Sequence, residues 1–260
     1  MGTGVKFMIL TVDLGNSEIT MGVFDNQQLV TVFRTISNRN KTSDEYVATF
    51  KELFNLRNIS KVDGVVISSV VPQLLDRVSE AIETLTKLKP LIIQPGIKTG
   101  LKLKMDNANE IGADLIADAV GGIKKYGYPL IIVDLGTANK LIAIDKEGFF
   151  RGGIINPGIK ISLEALIRVA SQLPNIKLTK PPKVIGSNTL DAMNSGIVYG
   201  YANMFDGLIK QFSSELGYQT KVVITGGLSS YIKPAMQTKD LLHDPDLIHY
   251  GLIEIFNKNK

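Results

Sequence analysis

Val12-Asp13-Leu14-Gly15-Asn16-Ser17 near the start of the chain and Val133-Asp134-Leu135-Gly136-Thr137-Ala138 in its middle are two versions of one message. Each follows a short apolar run, Phe7 to Val12 and Leu130 to Val133. Each is followed by a second apolar stretch that ends at an acidic turn, Phe24-Asp25-Asn26 and Ile144-Asp145-Lys146. Both read as strand, tight polar turn, strand. A repeat at this interval is too long for a solenoid unit, so it points to two related lobes, each presenting an aspartate and a glycine turn. Glycine lets backbone amides approach an anion, and the carboxylate can hold a cation or an ordered water, so two such turns facing across a cleft suit a polyphosphate. A single Asp-x-Gly turn is ordinary hairpin chemistry; the matched pair carries the inference.

Composition narrows the class. A hydrophobic content of 44% with 21% charged residues is that of a globular chain able to bury a sizeable core. The 29 basic and 25 acidic residues leave a net charge of +4, with the lysines and arginines scattered rather than gathered in a stripe. That balance tolerates an anionic small molecule and argues against nucleic acid as a partner. With no cysteine, disulfides, thiolate catalysis and cysteine-ligated zinc are excluded. His243 and His249 stand in no metal-ligand spacing, so any metal here is a hard one held by oxygen. The run from Phe7 to Val12 is too short for a signal-peptide core, and no stretch has the length of a membrane span, so a cytoplasmic protein without membrane contact is expected. Met1 to Val5 carry too little hydrophobicity to join the fold.

Outward from the first turn, Gln28 to Arg34 alternates as a third strand, and Thr42-Ser43-Asp44-Glu45 supplies N-cap chemistry for a helix with Tyr46, Val47, Phe50, Leu53 and Phe54 on one face. Val62 to Val71 reads as a buried parallel strand, Pro72 opens a helix to about Leu85, and Leu91 to Ile93 is another strand. Helical spacing runs from Glu110 to Tyr126, with Ile111, Leu115, Ala119 and Ile123 in one stripe and Asp114 and Asp118 on a neighbouring face. This helix is where the lobes are expected to join, giving a first domain over 6–114 and a second over 115–260. The second lobe repeats the order: hairpin to Ile144, third strand through Phe149 to Gly152, helix at Ser162 to Ala170, long helix from Asn188-Thr189-Leu190 to about Leu216, and strand Val222 to Ile224 ending at Thr225-Gly226-Gly227. An antiparallel hairpin at the head of each lobe, then strands alternating with helices, makes this an α/β duplication with mixed sheets.

Asp114 near a helix start is either helix-end electrostatics or a general base that takes a proton from an alcohol attacking phosphorus. Asp118, one turn on, either shares a cation with Asp114 or faces solvent, and solvent is the plainer reading. Thr225-Gly226-Gly227 either lets a nucleotide lie on backbone or meets the glycine need of a strand-to-helix connection.

Asp13-Leu14-Gly15-Asn16-Ser17, Pro95-Gly96-Ile97-Lys98-Thr99-Gly100, Gly112-Ala113-Asp114, Asp134-Leu135-Gly136-Thr137-Ala138, Gly152-Gly153 with Pro157-Gly158, and Thr225-Gly226-Gly227 occur in an order and spacing that resembles type III pantothenate kinases. The resemblance runs from about Met8 to the last helix. It implies the fold shared by acetate and sugar kinases, heat-shock chaperones and actin: two duplicated ribonuclease H-like lobes with an ATP cleft between them. It also implies phosphorylation of the pantothenate hydroxyl by ATP, the first step of coenzyme A synthesis, in a homodimer that uses Mg2+ and a monovalent cation, K+ or NH4+. Carried over, Asp13, Leu14, Gly15, Asn16, Ser17, Glu18, Ile19 and Thr20 contact the ATP phosphates, Thr137 contacts ATP, and Gly226 and Gly227 lie by the adenosine. Asp114 is the proton acceptor, Gly112, Ala113, Asp114 and Thr189 meet pantothenate, and Asp134 binds the monovalent cation.

The departures are local. Leu115 stands where the family has an arginine expected to pair with the substrate carboxylate, a bidentate contact that no apolar chain replaces. Met105 stands where it has a tyrosine, and Ile142 where it has an aspartate. After Thr137-Ala138 the chain continues Asn139-Lys140 rather than with two threonines. Lys140 either places its ammonium where the family binds the monovalent cation or points into solvent. Besides a working pantothenate kinase, two readings follow: a kinase of a different, less acidic alcohol, from Leu115 and Met105, or a catalytically impaired nucleotide-binding regulator, from the altered second turn.

Overall fold

A computed structural model describes residues 7–260, so the expectation for Met1 to Val5 lies outside the described residues. Among the described residues, α-helices and strands follow one another in the order β1 (Met8–Leu14), β2 (Glu18–Asp25), β3 (Gln28–Ile36), α1 (Ser43–Leu56), β4 (Gly64–Ser69), α2 (Pro72–Thr86), β5 (Leu91–Ile92), β6 (Lys102–Leu103), α3 (Ala113–Tyr126), β7 (Leu130–Leu135), β8 (Ala138–Ile144), β9 (Phe149–Pro157), α4 (Ile159–Val169), α5 (Thr189–Leu216), β10 (Lys221–Thr225), α6 (Ser229–Ile232), β11 (Leu242–His243) and α7 (Leu247–Lys258). Among the described residues, no helix is long and apolar enough to cross a membrane.

The duplication is visible in the strand order. The first sheet runs β3-β2-β1-β4-β5 and the second β11-β10-β7-β8-β9-β6, so β9-β8-β7-β10-β11 retraces the first order. In both, the opening hairpin is antiparallel and the next strand joins parallel: β1 with β2 and β4, β7 with β8 and β10. The fold is thus an α/β pair of ribonuclease H-like lobes with mixed sheets.

In the first lobe, Leu10, Val12, Leu14, Ile19 and Met21 meet Tyr46, Phe50 and Phe54 of α1 and Leu74 and Val78 of α2 in one core. On the other face, Val66 packs with Ala117 and Val120 of α3 and Leu252 and Ile255 of α7. Covering on both faces is why β4 reads as an unbroken apolar run rather than an alternation. Thr42 caps α1 and Glu45 reaches back to the cap, the reciprocal pairing that the sequence Thr-Ser-Asp-Glu supplies. In the second lobe, Ile131, Val133 and Leu135 pack on Ile197, Ala202 and Phe205 of α5.

Contacts group the described residues to Leu101, Asn107–Lys124 and Leu247–Lys260 as one unit, and Lys102–Asp106 with Lys125–Asp246 as the other. The observed division therefore differs from a single cut after residue 114. Most of α3 belongs with the first lobe, and α7, the last helix in the chain, returns to it. Glycine permits that return: a Cβ on Gly251 would stand 1.8 Å from the Ala117 carbonyl oxygen, and one on Gly121 would stand 2.5 Å from that of Leu247. The two helix backbones cross in direct contact, which no larger residue allows.

Candidate active site

In the first lobe, Asp13 is the last residue but one of β1, opposite Thr20 of β2 and beside Ser68 of β4. The Gly15 N–H donates to the Glu18 carbonyl at 3.0 Å and closes the turn. Leu14 and Ile19 are buried in the lobe's core, so only their backbone can face a ligand; Asn16, Ser17 and Glu18 are exposed. The Ser68 hydroxyl is buried and has no hydrogen-bond partner among the described residues. The loop after β3 latches onto the turn: Ser37 Oγ donates to the Gly15 carbonyl at 2.6 Å, and its N–H to the Ser17 carbonyl at 3.0 Å.

That loop also carries a residue that sequence reasoning passed over. Arg39 Nη2 donates to Asn16 Oδ1 at 3.1 Å, which sets a guanidinium beside the turn. Arg77 of α2 braces the loop by donating to the carbonyls of Arg39 and Lys41 at 2.7 and 3.2 Å. The sequence offers only a pair of cations, Arg39 and Lys41, in the loop that follows the β2–β3 hairpin, which returns the chain to the Asp13 turn.

Asp114 lies in the first turn of α3 and is 8% exposed; its Oδ1 accepts the Leu115 N–H at 2.8 Å. A first-turn amide lacks a helical partner, so this bond uses a free donor and orients the carboxylate. A Cβ on Gly112 would come within 2.5 Å of that same oxygen, so the glycine leaves Asp114 its position. Asp118 is 2% exposed and Asp114, one turn before it on the same face of α3, 8%, which corrects the reading that Asp118 faces solvent. Leu115 is half-buried at the start of the same helix.

In the second lobe, Asp134 is the last residue but one of β7, with Lys140 of β8 opposite it in the ladder and Thr225 of β10 at its other side. Lys140 Nζ donates to Asp134 Oδ2 at 2.8 Å, and the two side chains are 15% and 14% exposed. Lys140 therefore does not point into solvent. Asn139 is fully buried, its Nδ2 donating to the Pro157 carbonyl at 3.0 Å while its Oδ1 has no partner among the described residues. Ile142 is core, at 2% exposure.

The two glycines after β10 have different reasons to be glycine. Gly226 has φ +89, and a Cβ there would lie 2.6 Å from Asp134 Oδ1 and from Leu135 backbone atoms. Gly227 would meet nothing within 4 Å, so its backbone borders open space that a ligand can enter. Thr137 stands in the turn between β7 and β8. Thr189 opens α5 behind the Asn188 cap and lines a mostly apolar groove of about 710 Å³ with Leu166, Leu173, Met193 and Ile197. Met105 is 39% exposed and belongs to the short segment that groups with the second lobe.

Among the described residues no three of His, Cys, Asp and Glu gather into one cluster. A Mg2+ that arrives on ATP is coordinated largely by phosphate oxygens and water and needs one or two carboxylates, a demand that Asp13 fits. A monovalent cation at Asp134 does not fit in the same way, because an ammonium already rests on that carboxylate.

With this geometry in hand, comparisons with known proteins place the chain. A family model described as type III pantothenate kinase matches residues 9–211. A type III pantothenate kinase of Halalkalibacterium halodurans is 43% identical over 254 residues, covering 97% of this chain and 100% of the relative. Among solved structures, a Baf family transcriptional activator from Campylobacter jejuni superposes with a TM-score of 0.60 at 19% identity, covering 96% of this chain and 98% of that one. Component A of (R)-2-hydroxyglutaryl-CoA dehydratase from Acidaminococcus fermentans does so with a TM-score of 0.57 at 13% identity, covering 96% of each chain. At these identities the two structures speak for the fold alone.

Proposed function

The chain belongs to the type III pantothenate kinase family, and we propose that it transfers the γ-phosphoryl group of ATP to the pantothenate hydroxyl, the first step of coenzyme A synthesis. The observation that carries this reading is the oriented, buried Asp114 at the start of α3, in a chain 43% identical to a pantothenate kinase over 97% of its length.

The residues take the following roles in that reading. Asp114 accepts the hydroxyl proton while the hydroxyl oxygen forms a bond to the γ-phosphorus. The bond from that phosphorus to the β,γ-bridging oxygen breaks, and ADP leaves with the electron pair. Backbone amides of the Asp13 to Thr20 turn bind phosphate oxygens, and the Asp13 carboxylate is the group suited to a Mg2+ carried by ATP, which neutralises phosphate charge. Thr137 and the open backbone at Gly227 receive the rest of the nucleotide, while Gly226 holds Asp134 in place. Gly112, Ala113, Leu115, Met105 and Thr189 form the set assigned to the acceptor alcohol. With Leu115 in the arginine position, recognition of the substrate carboxylate falls to other groups. Homodimeric assembly and a cytoplasmic setting are part of the same proposal and follow the family expectation.

The test is an ADP-release assay with purified chain, ATP and Mg2+, run with pantothenate and with a panel of neutral alcohols of similar size. Pantothenate-dependent ADP release with 4'-phosphopantothenate as product is expected. A clear preference for a neutral alcohol moves the assignment to a related kinase, the reading that Leu115 favours. Absence of turnover with every acceptor removes the kinase proposal.

A further inference from the structure

The carboxylate to which the family resemblance assigns a monovalent cation already has a cation of its own. β7 and β8 set Lys140 directly across the antiparallel ladder from Asp134, so the pairing is dictated by strand register rather than by a flexible reach. The ammonium lies 2.8 Å from Asp134 Oδ2, with both side chains more than four-fifths buried. On the far side, Asp134 Oδ1 lies against Gly226, where no side chain fits. The carboxylate is thus held between the ammonium and the glycine turn.

Charge and size point the same way. A lysine ammonium carries the charge of K+ or NH4+ and offers hydrogen-bond donors to the same oxygen ligands. A second cation brought to contact with the same carboxylate would meet like-charge repulsion in a poorly solvated site, where screening is weak. Tethered through the β8 backbone, the ammonium is present whatever the salt, as an intramolecular ligand with no dissociation step.

We propose that Lys140 is a resident cation that makes the second lobe's nucleotide turn independent of potassium and ammonium. The inference rests on the pantothenate kinase reading for where the cation belongs, and on the Lys140–Asp134 geometry for why none is needed. Removing the ammonium while keeping Asp134 should recreate an ion site, which a purely structural salt bridge would not do.

Two measurements on the full chain decide it. In thermal unfolding at matched ionic strength, wild type should melt within about 1 °C in potassium, ammonium and choline chloride, because an ion that does not bind the folded state does not stabilise it. Lys140→Ala and Lys140→Thr should each gain a potassium-specific rise of roughly 3 °C, and two variants keep the test alive if one folds poorly. A potassium-specific rise of that size in wild type, or none in either variant, overturns the proposal. In the phosphotransfer assay, the wild-type rate should agree within about twofold across the three salts, while Lys140→Thr should lose about tenfold in choline and recover it in potassium. Tenfold potassium activation of wild type also overturns it. Lack of phosphotransfer in every salt counts against the kinase reading instead, and the melting experiment still decides the role of Lys140.

Discussion

The turns at Asp13 and Asp134 are built on the same strand–turn–strand frame and end up with opposite surroundings. At Asp13 the neighbouring loop latches on from outside through Ser37 and Arg39, and the exposed Asn16 and Ser17 leave the turn open to a ligand. At Asp134 the chain fills the turn from within: Lys140 takes one carboxylate oxygen, and Gly226 packs on the other. Below the turns the copies differ again. Thr11 in β1 donates to the Gly22 carbonyl at 3.0 Å and shares a 2.8 Å hydrogen bond with His249 Nδ1, whereas the equivalent position in β7 is the buried, apolar Ile132. Duplication preserved the backbone frame, which the hydrophobic pattern specifies, and left the polar side chains to diverge.

The strongest way to break this comparison is to move the chemistry out of the first lobe. Asp114→Asn keeps the shape and removes the proposed base, so kcat should fall by roughly 10² to 10⁴, the usual contribution of a positioned general base. Survival of most of the activity in a well-folded Asp114→Asn protein would remove Asp114 from that role.

A pH experiment probes the Thr11–His249 pair of the first lobe, whose equivalent position in the second is Ile132. Complete burial, and then the charge of Arg34, depress the His249 pKa from its ordinary value to about 3. The unfolded chain takes up a proton near pH 6.5 that the folded chain refuses until about pH 3, so stability declines as pH falls through that window. Between pH 7 and 5 this one group should cost roughly 2 kcal/mol of unfolding free energy. Urea titrations of wild type and of a His249→Gln chain measure it, and an equal loss in both clears His249.

The second turn is sharpened by a pair of substitutions. Gly226→Ala, at φ +89 and against Asp134, should destabilise the protein by about 1 to 3 kcal/mol and raise the KM for ATP, while Gly227→Ala should leave stability within about 0.5 kcal/mol. Equal melting temperatures for the two variants would contradict the distinction drawn between these glycines.

The smallest effect expected is at Arg39. Arg39→Ala should weaken ATP binding by about tenfold, corresponding to about 1.4 kcal/mol for an exposed charge-assisted contact, and leave ADP binding nearly unchanged if the guanidinium meets the terminal phosphate. Calorimetry with ADP and a non-hydrolysable ATP analogue separates the cases, and parallel losses for both nucleotides would make Arg39 a brace of the turn only.

Much of the frame was legible because its signals are local. The hairpins at Asp13 and Asp134, the Thr42 cap and the long helix from Thr189 to Leu216 follow from alternation, turn residues and capping chemistry within a few residues of each other. The lobe boundary was not legible. The return of α7 depends on Gly121 and Gly251 meeting across a helix crossing between segments more than a hundred residues apart in the chain, which no local pattern announces. A charged residue beside an apolar stripe reads toward solvent, yet Asp118 is buried, because exposure depends on what packs around a helix and not on its own periodicity. Arg39 is not legible in the same way, because nothing in a polar loop says which neighbouring turn it will reach.

By itself, the sequence determined that this protein has two copies of one α/β lobe, which residues present the aspartate and glycine turns, and where the candidate base sits at a helix start. These follow from periodicity and backbone preference, both set by adjacent residues. Only the tertiary structure decided that the second turn is occupied by the chain's own Lys140 and the first is bordered by Arg39. Strand register and loop docking set which charge lies within 3 Å or so of which carboxylate, and electrostatic interactions depend on that distance and on burial rather than on position along the chain.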